Sequence, residues 1–171
     1  MTEQVSAPQN FVARLMVSFD SIIYDNDDAI VGKGDHLDDL FFIMQGSSWL
    51  VGTHTDQQGQ EIRINVVRLS EGSWYGDFNI FFKQKSQYDL IAKKFKGAQI
   101  TKLSANKIQV FNIESAKFLA ICEDYPEFHS FCMQRANLRY AHFKQVFEEN
   151  LHYYILNQKL VAQDNEKKFQ M

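Results

Sequence analysis

Residues Glu71-Gly72-Ser73-Trp74-Tyr75-Gly76-Asp77-Phe78 set a glycine between an aromatic pair and an acidic residue. Gly76 permits close approach of a second stretch of backbone, and Phe78 to Phe82 read as a short helix behind it. Two other glycine-centred marks precede this one. Gly32-Lys33-Gly34-Asp35 follows a short strand, and Asp39-Leu40-Phe41-Phe42-Ile43-Met44-Gln45-Gly46 is an aromatic-rich strand ending on glycine.

Outward from these marks, residues 21–113 read as many short strands. The expected strands are Ser21 to Tyr24, Ala29 to Val31, Leu40 to Gln45, Trp49 to His54, Ile62 to Leu69, Tyr88 to Lys93, Ala98 to Leu103 and Lys107 to Ile113. Breakers at Asp25–Asp28, Gly32–Asp39, Asp56–Gly59 and Glu71–Gly76 separate them, at the spacing of a sandwich or barrel. Alternation is clearest in Lys107-Ile108-Gln109-Val110-Phe111-Asn112-Ile113, and Gln57-Gln58-Gly59-Gln60 is a hairpin tip.

Helices flank the strands. Residues 8–19 carry Phe11, Leu15, Phe19 and Val12, Met16 at helical spacing, with Pro8 near the start. Glu114 to Tyr125 form a helix stopped by Pro126. A longer helix follows, to about residue 162. Its stripe of Tyr140, Phe143, Phe147, Leu151 and Tyr154 needs a partner, either the chain's own β-core or a subunit or interdomain interface. The expected class is therefore α+β: a mainly antiparallel, jelly-roll-like β-roll with a short N-terminal helix and C-terminal helices. Residues 1–7 are expected to be flexible, 8–162 to form one domain, and 163–171 to be a frayed polar tail.

Composition narrows the function classes. The 171 residues are 45% hydrophobic and 23% charged, with 15 Phe, 7 Tyr and 2 Trp to build a core. The formal net charge of -3 argues against bulk electrostatic binding of nucleic acid. Charge is segregated all the same. Residues 20–39 hold seven Asp and one Lys, while residues 83–107 hold seven Lys and one Asp. No apolar run reaches membrane-span length, and Met1–Gln9 lacks a basic stretch followed by an apolar core. Cys122 and Cys132 lack metal spacing and read as two free thiols of a reducing compartment.

Enzyme signatures are missing from the sequence. His36, His54, His129, His142 and His152 are scattered, so no metal site is expected. Gly32-Lys33-Gly34 lacks phosphate-loop spacing, and there is no G-x-S-x-G nucleophile elbow. The expectation is a protein that is not an enzyme, with no catalytic residues and no cofactor.

Taken in order, Gly34-Asp35, Leu40 to Gly46 and Gly72 to Asp77, with helices on both flanks, resemble the cyclic-nucleotide-binding domain family over residues 8–150. The run Tyr75-Gly76-Asp77-Phe78-Asn79-Ile80-Phe81-Phe82 is similar to the version in ether-à-go-go-like and protist voltage-gated potassium channels. So are Asp124-Tyr125-Pro126 and Gln134-Arg135-Ala136-Asn137-Leu138-Arg139.

The resemblance implies a pocket for cAMP or cGMP built from Gly76, Asp77, Phe78, Asn79, Ser86, Gln87 and Tyr88. Backbone N–H groups at a glycine-led helix start would cradle the phosphate. Asp77 stands where the family has Glu and is one methylene shorter. The family's Arg, which would pair the phosphate in bidentate fashion, falls at Ser86-Gln87 or at Gln87-Tyr88, and neither pair contains Arg. Lys83 and Lys85 are nearby substitute cations. Losing one charge-assisted bond to an anion costs about 1.5–3 kcal/mol, roughly tenfold to hundredfold in affinity. The expectation is thus a regulatory homology domain with weak or absent nucleotide binding.

Such a domain is expected on the cytoplasmic side of a channel, touching a membrane only through its parent, as a homo-oligomer or with an interdomain contact through the last helix. The alternative is a soluble cAMP or cGMP sensor, such as a kinase-regulatory or ciliary adaptor subunit. Channels of this family fill the pocket with an aromatic-Asn-Leu segment. Tyr153-Tyr154-Ile155-Leu156-Asn157 has the wrong order for it, and Phe111-Asn112-Ile113 lies in a strand, so that role is not carried over.

Overall fold

The computed structural model describes residues 7–93 and 107–169, with side chains through residue 158 and that of residue 160. Its elements run α1 (Gln9–Met16), β1 (Asp20–Asp25), β2 (Ala29–Val31), β3 (Asp39–Gln45), β4 (Ser47–Thr55), β5 (Glu61–Ser70), β6 (Trp74–Tyr75), α2 (Asp77–Phe82), β7 (Asp89–Lys93), β8 (Lys107–Glu114), α3 (Ser115–Glu123) and α4 (Pro126–Phe169). Among the described residues, two antiparallel sheets of four strands face each other, in the orders β1-β8-β3-β6 and β2-β7-β4-β5. This is the expected α+β roll. The expected strand at Ala98 to Leu103 lies outside the described residues, as does most of the N-terminal stretch 1–7.

The alternation in β8 places Ile108 and Val110 in the interior, at 1% and 0% exposure. They join Ile43, Leu50, Leu90 and Phe143 in the main core between the sheets. A second core seals one end of the roll, where Phe11, Leu40, Ile80, Ile113, Phe118, Ile121 and Cys122 meet. The hairpin tip forms as read, with Asp56 Oδ1 accepting from the backbone N–H groups of Gln58 and Gln60.

Two helices differ from the sequence expectation. α1 ends at Met16 and not near residue 19. Phe11 is buried, with Leu15 half-buried beside it, while Val12 and Met16 face out. α4 runs on to Phe169, past the expected boundary at 162. Pro126 starts it as its first residue, where a missing N–H costs nothing. Of the α4 stripe, Tyr140, Phe143 and Phe147 pack on the roll's own core, whereas Tyr154 is 37% exposed. Among the described residues no helix is long and apolar enough to cross a membrane.

Candidate ligand cleft

The short helix α2 is set by glycine at its entrance. Gly76 has φ of 110°, in the left-handed region, and a Cβ there would lie 3.0 Å from the Asp39 carbonyl oxygen and from Leu37 Cδ2. Only glycine meets both demands at no cost. The helix leaves through Lys83, also left-handed at φ 51°.

Asp77, the first residue of α2, is 7% exposed. Its Oδ2 accepts from the Trp74 indole N–H at 3.0 Å, and its Oδ1 accepts from the Phe78 backbone N–H at 2.9 Å. The Arg139 guanidinium of α4 completes the set with a charge-assisted bond to Oδ1. Arg139 also lies over the Trp74 ring, 4.5 Å from its centroid. The carboxylate is thereby tied to α4. One residue on, Phe78 stacks on Tyr140 with centroids 3.8 Å apart and planes 3° apart. Asn79 is buried and donates its amide to the Gln84 carbonyl, closing the turn after α2.

Ser86 is 2% exposed. Its hydroxyl lies 2.8 Å from the Tyr75 hydroxyl and donates to the Tyr88 carbonyl at 2.6 Å. Its backbone bonds to Gly34 and Asp35, at 2.7 and 2.8 Å. Burial pushes the Tyr75 hydroxyl pKa well above its ordinary value, so it stays protonated and able to donate.

Ser86, Gln87 and Tyr88 line one wall of a half-open cleft of about 360 Å³. Lys33, Gly52 and Thr53 line it alongside them, and Lys144, Phe147 and Glu148 of α4 complete it. The volume lies in the range of small-molecule sites. Asp89 positions the Lys33 wall by accepting its backbone N–H at 2.7 Å. Burial, with Tyr140 and Glu148 nearby, pushes the Tyr88 hydroxyl up to about 12. The cleft therefore offers two ammonium groups, one carboxylate, an exposed amide at Gln87 and neutral aromatic surface.

The residues expected from sequence are thus divided. Ser86, Gln87 and Tyr88 reach the cleft. Gly76, Asp77, Phe78 and Asn79 build α2 and its attachment to α4 and are not among the cleft's lining residues. Lys83 lines a separate depression with His36 and Asp38, and Lys85 is exposed outside the cleft. Among the described residues the cations at the cleft are Lys33 and Lys144, which sequence reasoning missed. Lys33 sat inside a marked glycine turn, but Lys144 carried no local signal. Arg139 was part of a quoted run, yet nothing in its spacing tied it to Asp77.

No family model matches the chain, and no curated protein matches its sequence. Solved structures do match in shape. The regulatory domain of Toxoplasma gondii PKA with cAMP superposes with a TM-score of 0.57 at 13% identity, over 74% of this chain and 42% of that one. The Thermus thermophilus catabolite activator protein gives 0.56 at 17%, over 88% of this chain and 60% of that one. The regulatory subunit of a cAMP-independent protein kinase A from Trypanosoma brucei gives 0.57 at 18%, over 81% and 45%. This chain spans less than two thirds of each of these neighbours. The two antiparallel sheets, four strands each among the described residues, closed by flanking helices, are a β-roll architecture that this chain shares with these neighbours.

Proposed function

We propose that this chain is a non-catalytic regulatory domain of the cyclic-nucleotide-binding type whose affinity for cAMP and cGMP is weak or absent. One observation carries the reading: Asp77 is held by Arg139 and Trp74, so a ribose hydroxyl would have to displace a guanidinium to reach it. The missing phosphate Arg supports it. Ser86, at that position, is buried and its hydroxyl is spent on Tyr75 and Tyr88. The regulatory subunit of a kinase described as cAMP-independent shares the fold. Isothermal titration with both nucleotides tests the reading. No saturation up to about 1 mM is expected, and a micromolar dissociation constant overturns it.

The parent we propose is a potassium-type channel, with this domain on its cytoplasmic side and in a tetramer. The support is the sequence resemblance of residues 75–82, 124–126 and 134–139. A second reading, a soluble sensor that binds cAMP or cGMP, is favoured by Lys33 and Lys144 at the cleft, which suit an anion. Light scattering separates the two. A tetramer supports the channel reading, and a stable monomer that binds nucleotide supports the sensor.

A further inference from the structure

A second depression lies outside the cleft, between Trp74 of β6 and α4. It has a volume of about 260 Å³ and is lined by Trp74, Arg135, Leu138 and Arg139. Arg135 and Arg139 are one turn apart, a like-charge pair that costs a few tenths of a kcal/mol on a helix. Arg139 is neutralised by Asp77. Arg135 is not. Its neighbours one turn away are Phe131, Cys132, Leu138 and Arg139, none of them acidic. Among the described residues it makes no ion pair or hydrogen bond. Beside this guanidinium stand two large apolar side chains in water, Leu138 at 65% exposure and Trp74 at 38%.

The combination is selective in its chemistry. A guanidinium fork without a partner suits a carboxylate in bidentate geometry. Arg139, stacked on Trp74 and tied to Asp77, forms a fixed second wall with N–H groups to spare. Leu138 and the part of the Trp74 indole left exposed beside Arg139 offer apolar cover to one side chain. A free inorganic anion would leave that apolar surface wet, and the chain's net charge of -3 disfavours an extended polyanion.

We propose that this depression docks an acidic segment of a partner protein, with a carboxylate on Arg135 and an adjacent apolar side chain between Trp74 and Leu138. The dock does not depend on the nucleotide reading, and a failed peptide titration leaves the nucleotide titration to be judged by itself.

The experiment uses the full chain and a fluorescein-labelled synthetic peptide that carries one Glu beside one Leu in a Gly-Ser background. Its Gln-for-Glu counterpart and phosphatidylserine vesicles form the other arms. Anisotropy should show saturable binding of the Glu peptide. Arg135→Gln should weaken it about tenfold, the size of one lost charge-assisted bond. Leu138→Ser should weaken it as well, and Lys83→Gln, removing the same charge elsewhere, should leave it unchanged. Circular dichroism checks that each variant is folded. The inference is overturned if the Gln peptide binds equally, if Arg135→Gln binds like the parent, if the Glu peptide does not bind by about 1 mM, or if only the vesicles bind.

Discussion

Arg139, in the first third of α4, forms a charge-assisted hydrogen bond with Asp77 at the start of α2, across 62 residues of chain. The arginine side chain is 23% exposed and the aspartate side chain 10%, so water screens the pair little. This contact joins the helix that closes the roll to the helix that carries the glycine turn. Breaking it leaves a mostly buried charge without its partner. Arg139→Ala or Asp77→Asn should destabilise the domain by about 1.5–3 kcal/mol. Urea unfolding measures this. Near-additive effects in the double variant would show that the two side chains do not interact.

The cleft predicts a gain of function under the proposed reading. Gln87 is exposed and lines the cleft, whereas Ser86 is buried. Gln87→Arg should therefore supply a guanidinium to a phosphate and raise affinity for cAMP or cGMP about tenfold to hundredfold. Ser86→Arg should instead unfold the turn, because it removes the hydroxyl bonded to Tyr75 and forces a charge into the core. Titration of both variants, with melting curves, distinguishes these outcomes. Equal affinity in Gln87→Arg and the parent would mean that the missing Arg is not what limits binding.

Phe147 of α4 lies directly on Gly52 of β4. A Cβ at Gly52 would sit 2.4 Å from the Phe147 ring carbons Cδ2 and Cε2. Gly52→Ala should thus push α4 off the roll or rotate the ring, costing about 1–3 kcal/mol. Adding Phe147→Ala removes the obstruction. The Gly52→Ala cost measured in the Phe147→Ala background should then be close to nil. An undiminished cost in that background would place the strain elsewhere.

Burial raises both thiols, Cys122 to about 12 and Cys132 to about 11, from an ordinary 9.0. The folded chain holds these protons more tightly than the unfolded one. The contribution to stability is therefore full below about pH 9 and is lost as pH rises through 11 and 12. The thiolate is the reactive form, so both cysteines should react with a disulfide reagent at about pH 8 far more slowly in the folded state than in urea. Cys132, which is only partly buried, should react before the fully buried Cys122. Rapid labelling of Cys122 in the native protein would contradict this packing.

The roll was legible where a local period or a turn residue carries the information. Ile108 and Val110 alternate with Lys107, Gln109 and Phe111, which are exposed or half-buried, and the structure places both in the core. The hairpin at Gln57–Gln60 was readable because a glycine turn needs few long-range partners. α2 and its glycine entrance were also readable, since a left-handed residue at a close backbone approach has one inexpensive solution. The partner of the α4 stripe was not. A stripe states that a helix is buried on one side, and Tyr140, Phe143 and Phe147 would look the same against another subunit as they do against the roll.

By itself, then, the amino-acid order determined the succession of helix, strands and helices, the three glycine marks, and the lack of an arginine at positions 86 to 88. These follow from backbone sterics and side-chain periodicity, which act over a few residues. Tertiary structure alone decided that Asp77 faces Arg139, and that Lys33 and Lys144 meet across one cleft. Electrostatic partners are chosen by which segments the chain brings within a few ångströms, and no local pattern records that choice.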